Sequence, residues 1–178
     1  TVGLENYWSY TTMSSGRGGT YAVNNYNGNL VATQPLLSVE GNRLPVSIGL
    51  TYNSIYGTRN PSFSNVGFGW LLNYDMFVSY NSSTASLGYD YYYQDADGTR
   101  HYFYKQSDGT RVDEDGLGLT LEVTPGTSYV IKDKSGEQMI FNGTGKLVEI
   151  KGTHGDSILV TRDAEGKITQ ITDGAGRV

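Results

Sequence analysis

The segment GKLVEI at residues 145–150 recurs as GKITQI at residues 166–171, an offset of 21 residues. The same offset carries Gly155 onto Gly176. Each copy has room for two short strands and a turn, which is typical of stacked β-repeats. Such a unit cannot bury its own apolar side, so it needs a neighbour on each side. The repeat therefore predicts a stacked β-array over about residues 145–178, and we expect the natural protein to continue past it.

Alternation of apolar and polar residues extends the β pattern over the rest of the chain. It is clearest in residues 44–52 and 72–80, and it recurs in 117–123 and more loosely in 99–105. Asp-Gly and Asn-Gly pairs between such runs are strong hairpin signals. No long window has the period of a helix. The sequence predicts an all-β fold of roughly 11–14 short strands, an antiparallel meander or sandwich-like region that runs into the stacked array.

Composition excludes several classes of protein. The 178 residues include no cysteine, so a disulfide framework, thiol chemistry and a Cys-based zinc site are excluded. A net charge of -5 without a basic stripe argues against a nucleic-acid partner. No apolar run is longer than three residues, the length of those at 70–72 and 76–78, so we expect no membrane span. The lack of cysteine and a surface rich in Asn, Gly, Ser, Thr and Tyr favour an extracellular location.

The composition changes near residue 90. Residues 1–89 hold three acids, three bases and 11 of the 12 asparagines, whereas residues 90–178 hold 15 acids and 10 bases, which gives the whole net charge of -5. We therefore predict an N-terminal Asn/Tyr/Gly-rich β region over residues 1–90. A β-hairpin region over residues 91–178 follows and leads into the first repeats, at about 145–178.

Residues 161–178, TRDAEGKITQITDGAGRV, resemble the YD repeat of Rhs-type proteins. In that family a Tyr-Asp pair precedes a Gly, a basic residue, an apolar residue and a closing Thr-Asp-x-x-Gly; here Arg162-Asp163 stands at the place of the pair. Five upstream motifs resemble, in the family's order, the segment before the repeats of large bacterial Rhs and wall-associated proteins. They are NGNL (27–30), NRLPV (42–46), TYNS (51–54), GFGW with NY (67–74) and DADGTRHYF (95–103).

The resemblance implies a β-rich shell in which YD repeats wind into a hollow enclosure around a C-terminal toxin or other cargo. It implies a secreted, non-catalytic structural segment at the bacterial cell surface. The partners it implies are the following repeats of the same polypeptide, and a last strand left unpaired would allow self-association. The self-cleaving core of the family does not match any part of this sequence, so no catalytic residue is carried over.

The run Tyr89-Asp90-Tyr91-Tyr92-Tyr93 is the most unusual stretch of the chain. On a regular strand Tyr89, Tyr91 and Tyr93 share one face and Tyr92 takes the other. Such a row would stack on sugar rings, with Trp70 as a further candidate, and this gives the alternative hypothesis of a cell-surface carbohydrate-binding module. Cross-strand aromatic packing accounts for the same pattern, so both interpretations stay open.

The remaining polar clusters predict no catalytic, cofactor or metal site. The clusters DADG (95–98) and DEDG (113–116) lack the full ligand spacing of a calcium loop, so we interpret them as turns. His101 and His154 have no cysteine or second histidine at ligand spacing, and no nucleophile-elbow motif is present. An enzyme is the third and least favoured class of function.

Overall fold

A computed structural model describes residues 2–40, 44–56 and 66–178. The first two residues of the NRLPV motif, Asn42 and Arg43, lie outside the described residues. The described residues form no α-helix, only antiparallel strands and two short 3₁₀ turns, at Ser54–Tyr56 and Ala85–Leu87. The predicted all-β fold is confirmed.

Five strands form the first sheet, in the order β1-β2-β3-β4-β5. Their bounds are β1 Tyr10–Gly16, β2 Gly19–Asn24, β3 Leu30–Val39, β4 Val46–Asn53 and β5 Trp70–Leu72. Every strand lies beside its neighbour in sequence, which is the predicted meander. Strands β1 and β5 form the two edges.

Ten strands form the second sheet, again in sequence order. Their bounds are β6 Phe77–Tyr80, β7 Tyr89–Gln94, β8 Arg100–Lys105, β9 Arg111–Asp113, β10 Thr120–Thr124, β11 Ser128–Lys132, β12 Gln138–Asn142, β13 Leu147–Lys151, β14 Ser157–Arg162 and β15 Ile168–Thr172. The described part of the chain thus holds 15 strands, one more than the upper end of the predicted range. β5 and β9 have only three residues each, which is too short for a clear alternation in the sequence.

Two of the predicted strands are wrong in part. The run at 72–80 is divided by a turn, since the Asp75 N–H donates to the Leu72 carbonyl and the Asn73 side chain donates to the Ser47 carbonyl. The run at 117–123 begins only at Thr120, because the Asp113 carboxylate accepts the N–H groups of Leu117 and Leu119 and holds them in a loop. Local hydrogen bonds override the apolar alternation in both places.

The contacts divide the chain into two compact units. Unit 1 comprises residues 1–39, 47–75 and 95–99, and unit 2 comprises 40–46, 76–94 and 100–178. The core of unit 2 is mainly apolar: Phe103, Ile131, Phe141 and Leu147 are each 0% exposed, as is the polar Gln94. The boundary near residue 90 rests on composition and stays a prediction.

Candidate functional site

A five-residue turn recurs seven times along the described part of the second sheet. In each turn the N–H of the first residue donates to the carbonyl of the fifth residue. The fourth residue is a glycine, and its N–H donates to the carbonyl of the first residue. These glycines have φ between 78° and 93°, a region that other residues rarely adopt. The turns span residues 95–99, 106–110, 133–137, 142–146, 152–156, 163–167 and 173–177.

An Asp or Asn at the first place locks most of these turns. Its Oδ1 accepts the N–H of the fifth residue in the turns that begin at Asp95, Asn142 and Asp163, with N–O distances of 3.0, 3.0 and 2.8 Å. From residue 133 on, successive turns begin 9 to 11 residues apart. The 21-residue sequence repeat therefore equals two strand-and-turn units, as predicted for the array.

The second sheet winds past its own first strand. The Val78 N–H donates to the Gly145 carbonyl (2.8 Å) and the Leu147 N–H to the Met76 carbonyl (3.2 Å), so β6 pairs with the start of β13. The same edge of β13 pairs with β14 farther along, at residues 149–151. Because β6 and β14 share one edge of β13, the sheet does not close into a ring; it continues beyond its starting strand.

Two residues, Gly145 and Arg162, fit the junction between β6 and β13. Gly145 has φ of 83°, and a Cβ there would overlap the Val78 carbonyl oxygen. Arg162, which stands at the place of the tyrosine of the YD pair, donates from Nε to the Leu147 carbonyl (2.9 Å) and from Nη1 to the Gly166 carbonyl (3.0 Å). The arginine thus joins β14 to the start of β13.

The predicted row of Tyr89, Tyr91 and Tyr93 on one face is wrong. Tyr89 pairs with Tyr104 and Tyr91 pairs with Phe103, so β7 has a bulge at Asp90. A bulge inserts one extra residue and reverses the alternation of faces on one side of it. Tyr89 therefore lies on the face opposite to Tyr91 and Tyr93.

Tyr93 belongs to the core of unit 2. It is 5% exposed, and its hydroxyl donates to the sulfur atoms of Met76 (2.9 Å) and Met139 (3.4 Å). Its ring packs edge-on against Phe141 and stacks beside His101. This side chain has an apolar packing role.

Tyr91 lies beside the bulge on the same face as Tyr93. The Arg111 guanidinium lies 5.2 Å from its ring centroid and binds both oxygens of Asp90, the extra residue of the bulge. Partial burial, with Tyr129 beside it, raises the pKa of the Tyr91 hydroxyl above its ordinary value. The hydrogen bonds that Arg111 donates to Asp90 likewise raise the pKa of the Arg111 guanidinium above its ordinary value.

The opposite face of β7 carries Tyr89 and Tyr92, which are half-buried, as Tyr91 is. Tyr92 packs against Tyr102, and the Arg100 guanidinium lies 4.8 Å from the Tyr92 ring centroid. Tyr89 packs edge-on against Tyr104, which is 45% exposed. Trp70 lies on β5 in unit 1, half-buried and tilted against Tyr52. Glycan binding by Tyr89, Tyr91, Tyr92, Tyr93 and Trp70 stays a prediction.

The acidic clusters form turns and local bonds. Asp95 Oδ1 accepts the N–H groups of Asp97 and Thr99, as an anchor of the repeated turn. Asp115 Oδ2 and His101 Nδ1 form a hydrogen bond of 2.7 Å, an interaction that the sequence does not reveal. Among the described residues, no group of three or more His, Asp or Glu side chains is placed to hold a metal ion, and no helix is long and apolar enough to cross a membrane.

Comparison with known proteins finds two kinds of similarity. A family model described as "Domain of unknown function (DUF6531)" matches residues 20–103. The chain is also 29% identical, over 169 residues, to "tRNA nuclease WapA" of Bacillus subtilis (strain 168) and to "tRNA3(Ser)-specific nuclease WapA" of Bacillus spizizenii. These alignments cover 94% of this chain and 7% of each relative. The chain is therefore similar, over nearly its whole length, to a small part of much longer proteins that are named as tRNA nucleases.

Proposed function

We propose that this chain is a non-catalytic structural segment of a secreted Rhs and YD-repeat protein at the bacterial cell surface. In this role it forms part of a β-shell that encloses or displays a C-terminal cargo of the toxin type. The similarity to 7% of proteins named as nucleases supports this role, because the segment they share with this chain is small compared with their length. The nuclease activity named for those relatives is, in this proposal, a property of another part of the polypeptide.

The winding of the second sheet is the observation that carries the proposal. β6 and β14 pair with different parts of the same edge of β13. The sheet therefore continues past β6, and in the shell each further strand would lie farther along than the strand of the previous winding. An enclosure built in this way lengthens by adding strand-and-turn units of the kind seen at residues 142–146 and 163–167. Its interior is sealed by apolar side chains, and its wall has no free strand edge where the windings meet.

The last strand is where the next unit would join. β15 is an edge of the second sheet, and Ile168 and Ile171 on it are half-buried. An unpaired edge with alternating apolar residues is a template for strand addition. In the shell the following repeats of the same polypeptide would cover it, and in the isolated chain a second copy would do so.

Appending a second copy of residues 157–178 after Val178 tests whether the array accepts further units. We expect the copy to fold onto β15, to raise the melting temperature by at least about 2–4 °C, and to protect the amides of Ile168–Thr172 from hydrogen exchange. A control copy in which Ile158, Val160, Ile168 and Ile171 are replaced by Ser should do neither. We also expect light scattering to show less self-association for the extended chain. An appended copy that stays unfolded would contradict the array and favour a self-contained module.

Limited proteolysis of the full-length natural polypeptide tests the enclosure of cargo. Leu147→Asp places a charge in the core beside the β6–β13 junction, whereas Leu159→Asp places the same charge on an exposed position of β14. We expect the first change to speed cleavage of the C-terminal region and the second to leave it unchanged. Equal cleavage in both variants would show that this segment does not shield cargo.

A further inference from the structure

A groove of about 590 Å³ lies on one face of the first sheet, entirely within unit 1. Its floor is formed by Thr12 and Ser14 of β1 with their cross-strand partners Ala22 and Thr20 of β2. Leu4, Glu5, Asn6 and Trp8 form one wall. This volume lies within the range of small-molecule sites in proteins, and the sequence analysis did not single out any of its residues.

The wall of the groove is held in one conformation. The Trp8 indole Nε1 donates to Glu5 Oε2 (2.8 Å), and the indole stacks on Tyr26 at 4.6 Å with an angle of 20° between the rings. The Glu5 N–H donates to the Tyr10 hydroxyl (3.0 Å), and the Leu4 N–H donates to Asp97 Oδ2 (2.8 Å). An aromatic wall that is fixed before binding lowers the entropy lost when a ligand binds.

The polar groups of the groove favour an uncharged, hydroxylated ligand. Thr12, Ser14 and Thr20 present hydroxyl groups, and Glu5 presents a carboxylate. Thr20 Oγ1 lies 2.6 Å from Thr33 Oγ1 and can make a further hydrogen bond. The Tyr10 hydroxyl is already engaged, since it accepts the Glu5 N–H and donates to the Gly3 carbonyl (3.3 Å). Among the described residues that line the groove there is no Lys, Arg or His, so an anionic ligand would meet Glu5 without a compensating cation. A flat indole beside hydroxyl groups matches a pyranose ring, which has apolar C–H faces and a rim of hydroxyls.

We propose that this groove binds a neutral oligosaccharide, with a sugar ring against Trp8 and sugar hydroxyls bonded to Glu5 and to the hydroxyl groups of β1 and β2. The site is separate from the tyrosines of β7 and does not depend on the shell role. A surface protein with such a groove would hold a polysaccharide while its second sheet forms the shell.

Two tryptophan substitutions on the same strand test the site. Thr12 and Thr11 are both exposed on β1, but Thr12 lines the groove, whereas Thr11 pairs with Val23 on the opposite face. Thr12→Trp therefore fills the groove, and Thr11→Trp adds the same side chain elsewhere. Titration calorimetry with cellotetraose, chitotetraose and maltotetraose would measure binding, with tetragalacturonate as the anionic comparison.

We expect at least one of the neutral oligosaccharides to bind with a Kd below about 1 mM, and to bind Thr12→Trp at least about tenfold more weakly. Thr11→Trp should bind within about twofold of the unchanged chain. Melting temperatures of the two variants establish that both are folded. The proposal is overturned if none of the three neutral oligosaccharides binds, if tetragalacturonate binds best, or if the two variants bind equally well.

Discussion

Unit 1 and unit 2 are both antiparallel, yet different side chains fill their interiors. In unit 1 the side chains of Asn24, Asn29 and Asn53 are at most 1% exposed. In unit 2 most of the fully buried side chains are large and apolar, among them Phe141 and Leu147, both 0% exposed. Unit 1 thus adds directional hydrogen bonds to an apolar core that includes Val31 and Leu71, whereas unit 2 depends mainly on apolar volume.

The asparagines of unit 1 take the place of regular turns. Asn24 Oδ1 accepts the Tyr26 N–H, and Asn29 Oδ1 accepts from the Ser54 hydroxyl and the Ile55 N–H. Each bond fixes the conformation of one particular loop, so the same arrangement cannot simply be repeated along the chain. The turns of unit 2 need only one Asx side chain and one glycine, and any number of them can be stacked.

The largest effect is expected for Asn53→Leu. Asn53 accepts from the Gly3 N–H and from Asn29 Nδ2 and donates to the Asp97 carbonyl. Leucine has nearly the same size but leaves three polar groups without this partner, each at about 1–3 kcal/mol. We expect the free energy of unfolding to fall by about 3–6 kcal/mol in denaturant titration. The control Asn25→Leu, at an exposed asparagine, should change it by less than about 1 kcal/mol. Similar losses in both variants would show that the buried asparagines do not hold unit 1 together.

A slightly smaller effect is expected for Leu147→Ala in unit 2. Leu147 is 0% exposed, so truncation leaves a cavity and should cost about 2–5 kcal/mol. Leu159→Ala makes the same chemical change on β14, where the side chain is 46% exposed, and should cost less than about 1 kcal/mol. Thermal melts of the two variants give the comparison. If both variants melt at the same temperature, the core of unit 2 does not lie where the structure places it.

A third comparison uses two glycines in equivalent turns of unit 2. Gly145 and Gly155 have φ of 83° and 86°, so alanine at either place carries a left-handed cost of about 1–2 kcal/mol. Only at Gly145 would the new Cβ meet the Val78 carbonyl, since open space surrounds that of Gly155. We expect Gly145→Ala to be less stable than Gly155→Ala by at least about 1 kcal/mol. Equal stability would mean that β6 does not pair with the start of β13.

The sequence predicts unit 2 better than unit 1 because its rules are local. The 21-residue offset, the glycines at 145 and 166 and the alternation at 99–105 depend on residues close together in the chain, and the structure has a turn or a strand at each. The winding could not be predicted in this way, since the bond from Val78 to Gly145 joins residues 67 positions apart. No local pattern encodes such a pairing.

The tyrosine strand shows a second limit of sequence analysis. A single extra residue at Asp90 reverses the face of Tyr89, and only the pairing of β7 with β8 reveals it. The bond from Arg111 to Asp90 that supports the bulge joins residues on two different strands. The composition shows that most asparagines lie in the first half of the chain. It does not predict that some of them are buried, because asparagine is ordinarily a surface or turn residue. The sequence likewise does not single out Trp8, since the groove that Trp8 lines exists only when β1 and β2 pair.

The smallest expected effect is a pH dependence of stability, which unit 1 should show and unit 2 should not. Burial, with the Asp95 carboxylate as the second cause, raises the pKa of Asp97 from 3.8 to about 7. A group whose pKa is higher in the folded chain stabilises it fully below about pH 4, and that contribution is lost as the pH rises through about 7. Unit 1 should therefore lose stability between about pH 4 and pH 7.

Asp95→Asn removes the like charge and keeps the turn, since Asn142 anchors an equivalent turn with the same bonds. We expect this variant to melt about 2–4 °C higher than the unchanged chain at pH 8 and to differ less at pH 5. Asp163→Asn makes the same change in a turn of unit 2 whose third residue, Glu165, is an exposed carboxylate instead of a half-buried one, and it should leave the pH profile unaltered. If Asp95→Asn also leaves the profile unaltered, repulsion between Asp95 and Asp97 does not limit the stability of unit 1.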